Sequence, residues 1–223
     1  MDVLAKGMEQ GGFFMWPILV CAVFGVSIGL ERIFFIFFRA SINAAAFMAQ
    51  VQRLVLDEDV DGAVRLCNAE PSAALPRVIK AALVRDARPE AEMRDAVEEL
   101  SLEVYPEINR RLSFLPMIAN VSTLLGLLGT IQGLIQAFKA VGEASAEARS
   151  LALSDGIAVA MYTTFFGLFV AIPVIVTHGI VAARANALLD EVDQYGLKVM
   201  NLLNATRRSV PHGGGSPVLP FPG

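Results

Sequence analysis

Residues 112–138 read LSFLPMIANVSTLLGLLGTIQGLIQAF, 27 consecutive positions from Leu112 to Phe138 without an Asp, Glu, Lys or Arg. About 20 predominantly apolar residues cross a hydrocarbon core of about 30 Å at about 1.5 Å per residue. This stretch is therefore long enough to span a bilayer. Two more runs share the property. Gly11 to Leu30 gives 20 residues ending at Glu31-Arg32, and Gly156 to Ala183 gives 28 residues between Asp155 and Arg184. Periodicity inside such runs does not establish spanning, but length without charge does.

Composition agrees. Of the 223 residues, 55% are hydrophobic and 18% charged, against about 45–50% and about 25% in soluble domains. The net charge of -4 and the lack of a basic tract argue against a nucleic-acid partner. Cys21 lies in an apolar run and Cys67 in a charged segment, so the two read as free thiols rather than a disulfide or a metal site. The first run reads as a span, not a cleaved signal. Its leader carries Asp2 and Glu9 against a lone Lys6, and no small-x-small site follows.

The Lys and Arg count sets the expected orientation. Fifteen fall in the segment after the first run and in the C-terminal part, against three elsewhere (Lys6, Lys139 and Arg149). The N-terminus is thus expected in the periplasm and the C-terminus in the cytoplasm. The expected organisation is a periplasmic N-terminus and first span over 1–39, a cytoplasmic helical segment over 40–111 and a second span over 112–138. A short periplasmic loop over 139–155, a third span over 156–183, a cytoplasmic helix over 184–208 and a disordered tail over 209–223 complete it. The fold class is an all-α membrane protein with three transmembrane helices and long cytoplasmic helical extensions.

Within 40–111, Ser41 reads as the N-cap of a helix ending near Leu56, and Asp57-Glu58-Asp59 opens a second through Cys67. Pro71 and Pro76 are expected to break the chain. Pro89, followed by Glu90 and Glu92, opens a charged helix that runs towards the second span with kinks at Pro106 and Pro116. From Ala182 to Ala205 the pattern is again helical. These stretches are too short to bury a separate core, and are expected to extend the spans into the cytoplasm and pack against one another or against copies of the chain.

The second span carries small and polar residues at Ala119, Thr123, Gly126, Thr130, Gly133 and Ala137, spaced to stay on one helix face. The third has Ala160, Thr164, Gly167 and Ala171, then Val174 and His178. Small residues let membrane helices approach closely, and hydroxyls hydrogen-bond between them. Such stripes are either packing seams, with each hydroxyl satisfied by its own preceding turn, or one wall of a narrow wet pathway. Spacing does not separate these readings. The first span is the aromatic-rich one, with Phe13, Phe14, Trp16, Phe24, Phe34 and Phe35, suited to lipid contact.

None of the three runs contains a carboxylate, Lys or Arg. A chain that moved protons alone would need an ionisable relay in the membrane, and His178 near one end reads as an interfacial hydrogen-bonding residue. An ion passing here would rely on a charged group from another protein. No nucleophile–base pair, metal cluster or phosphate loop points to an enzyme or a cofactor.

Leu124-Leu125-Gly126-Leu127-Leu128-Gly129-Thr130-Ile131-Gln132-Gly133-Leu134-Ile135-Gln136-Ala137-Phe138 closely resembles the second-span signature of the MotA/TolQ/ExbB family. Gly156-Ile157-Ala158, then Thr163-Thr164-Phe165-Phe166-Gly167-Leu168 and Val170-Ala171-Ile172-Pro173, resemble its third-span signature, and Glu31-Arg32 also fits. The resemblance covers most of residues 10–205. It implies a homopentamer in the bacterial inner membrane around two copies of a single-span ExbD/TolR/MotB-like partner. That partner carries the membrane aspartate missing here, and ion flow past it does mechanical work on the cell envelope. By position, Thr130 and Thr164 match the family's pathway threonines, with Thr123, Gly126, Gly133, Ala160, Gly167 and Ala171 beside them. One departure stands out: ExbB and TolQ chains have a third-span glutamate where this chain has Val159. With Thr164-Phe165-Phe166-Gly167 more similar to flagellar-stator relatives, that leaves outer-membrane transport, envelope maintenance and gliding motility open, while the length and three-span plan favour the ExbB/TolQ branch over the four-span flagellar one. The alternative function is a non-conducting scaffold that assembles partner helices.

Overall fold

The computed structural model describes residues 12–209 apart from 87 and 144; Ser209, the first residue of the expected tail, is helical, and the rest of that tail and the extreme N-terminus lie outside the described residues. Seven α-helices and no strand occur among these: α1 (Met15–Phe34), α2 (Ala44–Leu56), α3 (Val60–Ala69), α4 (Ala74–Val84), α5 (Glu90–Asn109), α6 (Phe114–Glu143) and α7 (Arg149–Ser209). A five-residue π-helical turn, Phe35–Arg39, follows α1 directly.

The chain divides into two compact units. The first comprises residues up to Phe38 together with Asn109–Ala185, and the second Arg39–Ile108 together with the chain from Asn186. In the first unit, α1 crosses the first half of α7 where glycines thin the helix. A Cβ on Gly25 would sit 2.7 Å from Val174 Cγ2, and one on Gly29 would sit 3.3 Å from Thr177 Cγ2. Leu115 and Ala119 of α6 pack with Ala171 and Val174 of α7, and Met15 and Ile18 of α1 pack with Phe166.

The apolar surface is mostly turned outward. Only 22%, 28% and 28% of the most apolar windows of the three long helical stretches is buried within the chain. Trp16, Phe24 and Phe34 of the aromatic helix, and Phe13 just before it, are all more than half exposed. So much contiguous apolar surface cannot face water, and continuous helices are one of the two backbone forms that survive in lipid.

The second unit buries a core of its own, contrary to the expectation that its pieces are too short. Val51, Val55, Val78, Ile79, Leu83, Met93, Val104 and Ile108 are at most 1% exposed, and Val192, Val199 and Leu203 of α7 join them at no more than 2%. Two separate stretches pool their apolar faces here, which neither could bury alone. Polar contacts fix the edges. Arg77 meets Glu107 at 2.6 Å and Glu103 at 3.5 Å, and Arg207 meets Asp86 at 3.3 Å while donating to the Arg88 carbonyl at 2.7 Å.

Local chemistry explains where the helices begin. Asp59 caps α3 by accepting from the Gly62 N–H at 2.8 Å, inside the expected acidic cluster. α2 is capped by Asn43, accepting from Ala46 N–H at 3.1 Å, and not by Ser41. Pro71 lies in a break, but Pro76 sits inside the first turn of α4, where its missing N–H costs nothing. The expected run-on from the charged helix into the second span does not occur. α5 carries Pro106 to its end at Asn109, then the chain turns through Arg111 at φ 61° before α6 begins at Phe114.

Two side chains of the second unit give measurable titrations. Cys67 is 2% exposed, and burial pushes its thiol up to about 11, the nearby Lys80 charge only partly opposing this. In native protein Cys67 is expected to resist maleimide labelling at pH 7–8 and to react fully once unfolded; labelling at the rate of a free peptide thiol contradicts its burial. Tyr105 is pushed up to about 12, first by loss of solvent and then by its hydrogen bond to Asp193 and the charges of Asp193 and Asp190. Its folded value lies above the ordinary 10, so its contribution to stability is complete below pH about 10 and is lost as pH rises through about 12. Ultraviolet titration should show a tyrosine step near pH 12, and Tyr105→Phe should remove that step.

Candidate functional site

Between α6 and the first half of α7 the backbones nearly touch. A Cβ on Gly126 would lie 3.0 Å from the Thr163 carbonyl oxygen and 3.3 Å from Gly167 Cα. One on Gly167 would lie 2.8 Å from the Ser122 carbonyl oxygen, and one on Gly133 would lie 3.0–3.2 Å from Ala160. Ser122, Gly126, Gly129, Gly133 and Ala137 form the buried line on α6, facing Ala160, Thr163 and Gly167 on α7. Such a seam of small residues brings helices together by backbone packing where lipid supplies no hydrophobic drive.

The expected stripes split in the structure. Gly126, Gly133, Ala160, Gly167 and Ala171 are buried, the first four in this seam and Ala171 beside Leu115 and Ala119. Thr130 and Thr164 stand at its edge, half-exposed, and Thr123 is exposed. Each hydroxyl donates to its own helix: Thr123 to the Ala119 carbonyl at 3.0 Å, Thr130 to Leu127 at 2.6 Å and Thr164 to Ala160 at 3.5 Å. The Thr164 bond is the longest of these, at the limit of a hydrogen bond. That hydroxyl is the least committed to its own backbone.

Three buried features went unread in the sequence. Ser122 is fully buried and donates to the Gly167 carbonyl at 3.3 Å, and Thr163 is 1% exposed and donates to the Ala160 carbonyl at 2.8 Å. Thr163 and Thr164 both continue the line from Ala160, at three and four residues, so spacing alone could not choose between them. Gly25 and Gly29 of α1 form a Gly-x-x-x-Gly pair, a signal for close helix approach.

At the charged end of α1, Glu31 is shared by two arginines, Arg32 at 3.0 Å and Arg111 at 2.5 Å. Arg32 is 4% exposed and lies 4.8 Å from the Phe35 ring centroid. No cluster of three or more His, Cys, Asp or Glu that could hold a metal occurs among the described residues.

Residues 70–194 match the model of the MotA/TolQ/ExbB proton channel family. The chain belongs to this family. Membership makes it a multi-pass membrane protein of a channel class, not an enzyme, and agrees with its three long apolar helices. Among relatives, it is 28% identical over 204 residues to biopolymer transport protein exbB1 of Vibrio cholerae, covering 91% of this chain and 89% of that one. It is 35% identical over 103 residues to the Tol-Pal system protein TolQ of Haemophilus influenzae, covering 45% of each. The solved structure of C. jejuni MotAB superposes with a TM-score of 0.60 at 17% identity, covering 90% of this chain and 83% of that one. At that identity the likeness shows a shared fold. The match over residues 70–194 takes in the seam together with α4 and α5.

Proposed function

We propose that this protein is the ion-channel subunit of an inner-membrane motor that couples an ion gradient to mechanical work on the cell envelope. Five copies surround two copies of a single-span partner. The N-terminus and the loop over 139–155 are periplasmic, and the helical segments over 40–111 and 184–208 lie in the cytoplasm. Thr130 and Thr164, flanked by Thr123, Gly126, Gly133, Ala160, Gly167 and Ala171, face the partner helices. The powered process is outer-membrane transport, envelope maintenance or gliding motility; the names of the Vibrio and Haemophilus relatives favour the first two.

One observation carries the reading. The helix pair closes on itself through glycines while presenting threonine hydroxyls at its edge, and it has no charged residue in the three runs. Hydroxyls order water or receive a carboxylate but do not change charge at physiological pH. The titrating group must therefore be the partner's. The test is ion flux into proteoliposomes holding this chain with and without a single-span, Asp-bearing partner. Flux that needs both chains and that partner's aspartate supports the motor. A stable complex that never conducts supports a scaffold that merely gathers partner helices.

A further inference from the structure

A groove of about 520 Å³ runs between α1 and the start of α6, lined by Val20, Phe24, Ile28, Phe114 and Met117, with Arg111 at one end. Phe24, Phe114 and Met117 are each about half exposed, so the chain's own helices leave the groove unfilled. Its apolar part lies within the charge-free runs, and Arg111 immediately precedes the second of them. The charged end is not neutral. Arg111 remains 42% exposed although it meets Glu31, and the exposed Arg110 precedes it in the chain.

An apolar slot that ends in surplus positive charge at the hydrocarbon boundary discriminates among occupants. A soluble anion would satisfy the guanidinium and leave the slot empty. A neutral lipid or an apolar helix from a second copy would fill the slot and leave the charge unmatched. Basic pockets between membrane helices recognise anionic headgroups. We propose that this groove is a binding site for one anionic phospholipid per chain, its acyl chain between α1 and α6 and its phosphate against Arg111. The site is separate from the α6–α7 seam and does not depend on the motor reading.

Native mass spectrometry of the purified oligomer, titrated with phosphatidylglycerol or phosphatidylcholine, tests this. The expected result is preferential retention of phosphatidylglycerol, weakened about fivefold by Arg111→Gln and largely kept by Arg111→Lys. Met117→Trp fills the slot and leaves every charge in place, so it should reduce retention even if Arg111→Gln disturbs the Glu31 contact. Equal retention of the two lipids, or no loss with either Arg111→Gln or Met117→Trp, overturns the proposal. If Met117→Trp breaks the oligomer and leaves phosphatidylglycerol retention unchanged, the groove belongs to a neighbouring copy and the lipid site is rejected.

Discussion

Thr164→Val is expected to abolish ion-driven output, at least tenfold, while assembly and partner binding survive. Valine nearly matches threonine in shape, so the packing of a half-exposed position changes little. What disappears is a hydroxyl whose own-helix bond, at 3.5 Å, is long enough to yield to a better partner. A charged carboxylate at mid-membrane costs roughly 2.5–3.5 kcal/mol on insertion scales, and one charge crossing the membrane potential gains about 2.3 kcal/mol per 100 mV. These are comparable, so on the proposed reading a polar contact worth about 1 kcal/mol would decide whether a partner's carboxylate rests charged or neutral at this point. Thr130→Val should act in the same direction but less severely, because its hydroxyl is held at 2.6 Å by the Leu127 carbonyl. Thr163→Val supplies the contrast. Its hydroxyl is buried in the seam, so the substitution should lower thermal stability slightly and leave output near normal. Motility or transport assays read the output, and size-exclusion chromatography reads assembly. Full output from the Thr130→Val, Thr164→Val double variant would reject the pathway role.

The second large effect is structural. Gly167→Leu should prevent α6 and α7 from closing, giving little folded protein in detergent. Gly167→Ala should already lower the melting temperature, since its Cβ would fall 2.8 Å from the Ser122 carbonyl oxygen and 3.0 Å from Gly126 Cα. Backbone atoms cannot rotate aside as a side chain can. Overpacking of this kind costs about 1–3 kcal/mol. Gly142→Ala is the control, because nothing lies within 4 Å of its Cβ position and alanine is the better helix former by up to about 1 kcal/mol. Equal melting temperatures for Gly167→Ala and Gly142→Ala would show that the seam is looser than its geometry indicates.

Much of the fold was legible because lipid simplifies the code. A run such as Leu112 to Phe138 has few soluble readings, and Asp59 caps α3 at the expected place because cap chemistry is local. The features that escaped depend on contacts distant in sequence. The core of the second unit joins residues near Val78 to residues near Val199, so a length argument applied to each stretch alone undercounts the surface it can bury. Thr163 and Thr164 differ by about 100° around a helix, and only the position of α6 decides which one is buried. The turn at Arg111 carries no Gly or Pro to announce it; a residue with a side chain rarely adopts φ 61°, and the exception leaves no compositional trace.

That turn also divides the chain into parts with different tolerance to length change. An α-helix advances about 100° per residue, but a residue inserted in the irregular turn between Asn109 and Phe114 leaves the buried faces of both α5 and α6 in phase. α7 has no such joint between Arg149 and Ser209. A residue added at its middle would swing Val192, Val199 and Leu203 away from the side chains that cover them, or Ala160 and Gly167 away from theirs. Length polymorphism among relatives should therefore gather before Phe114 and spare α7, where viable insertions should come in groups of three or four, about one whole turn.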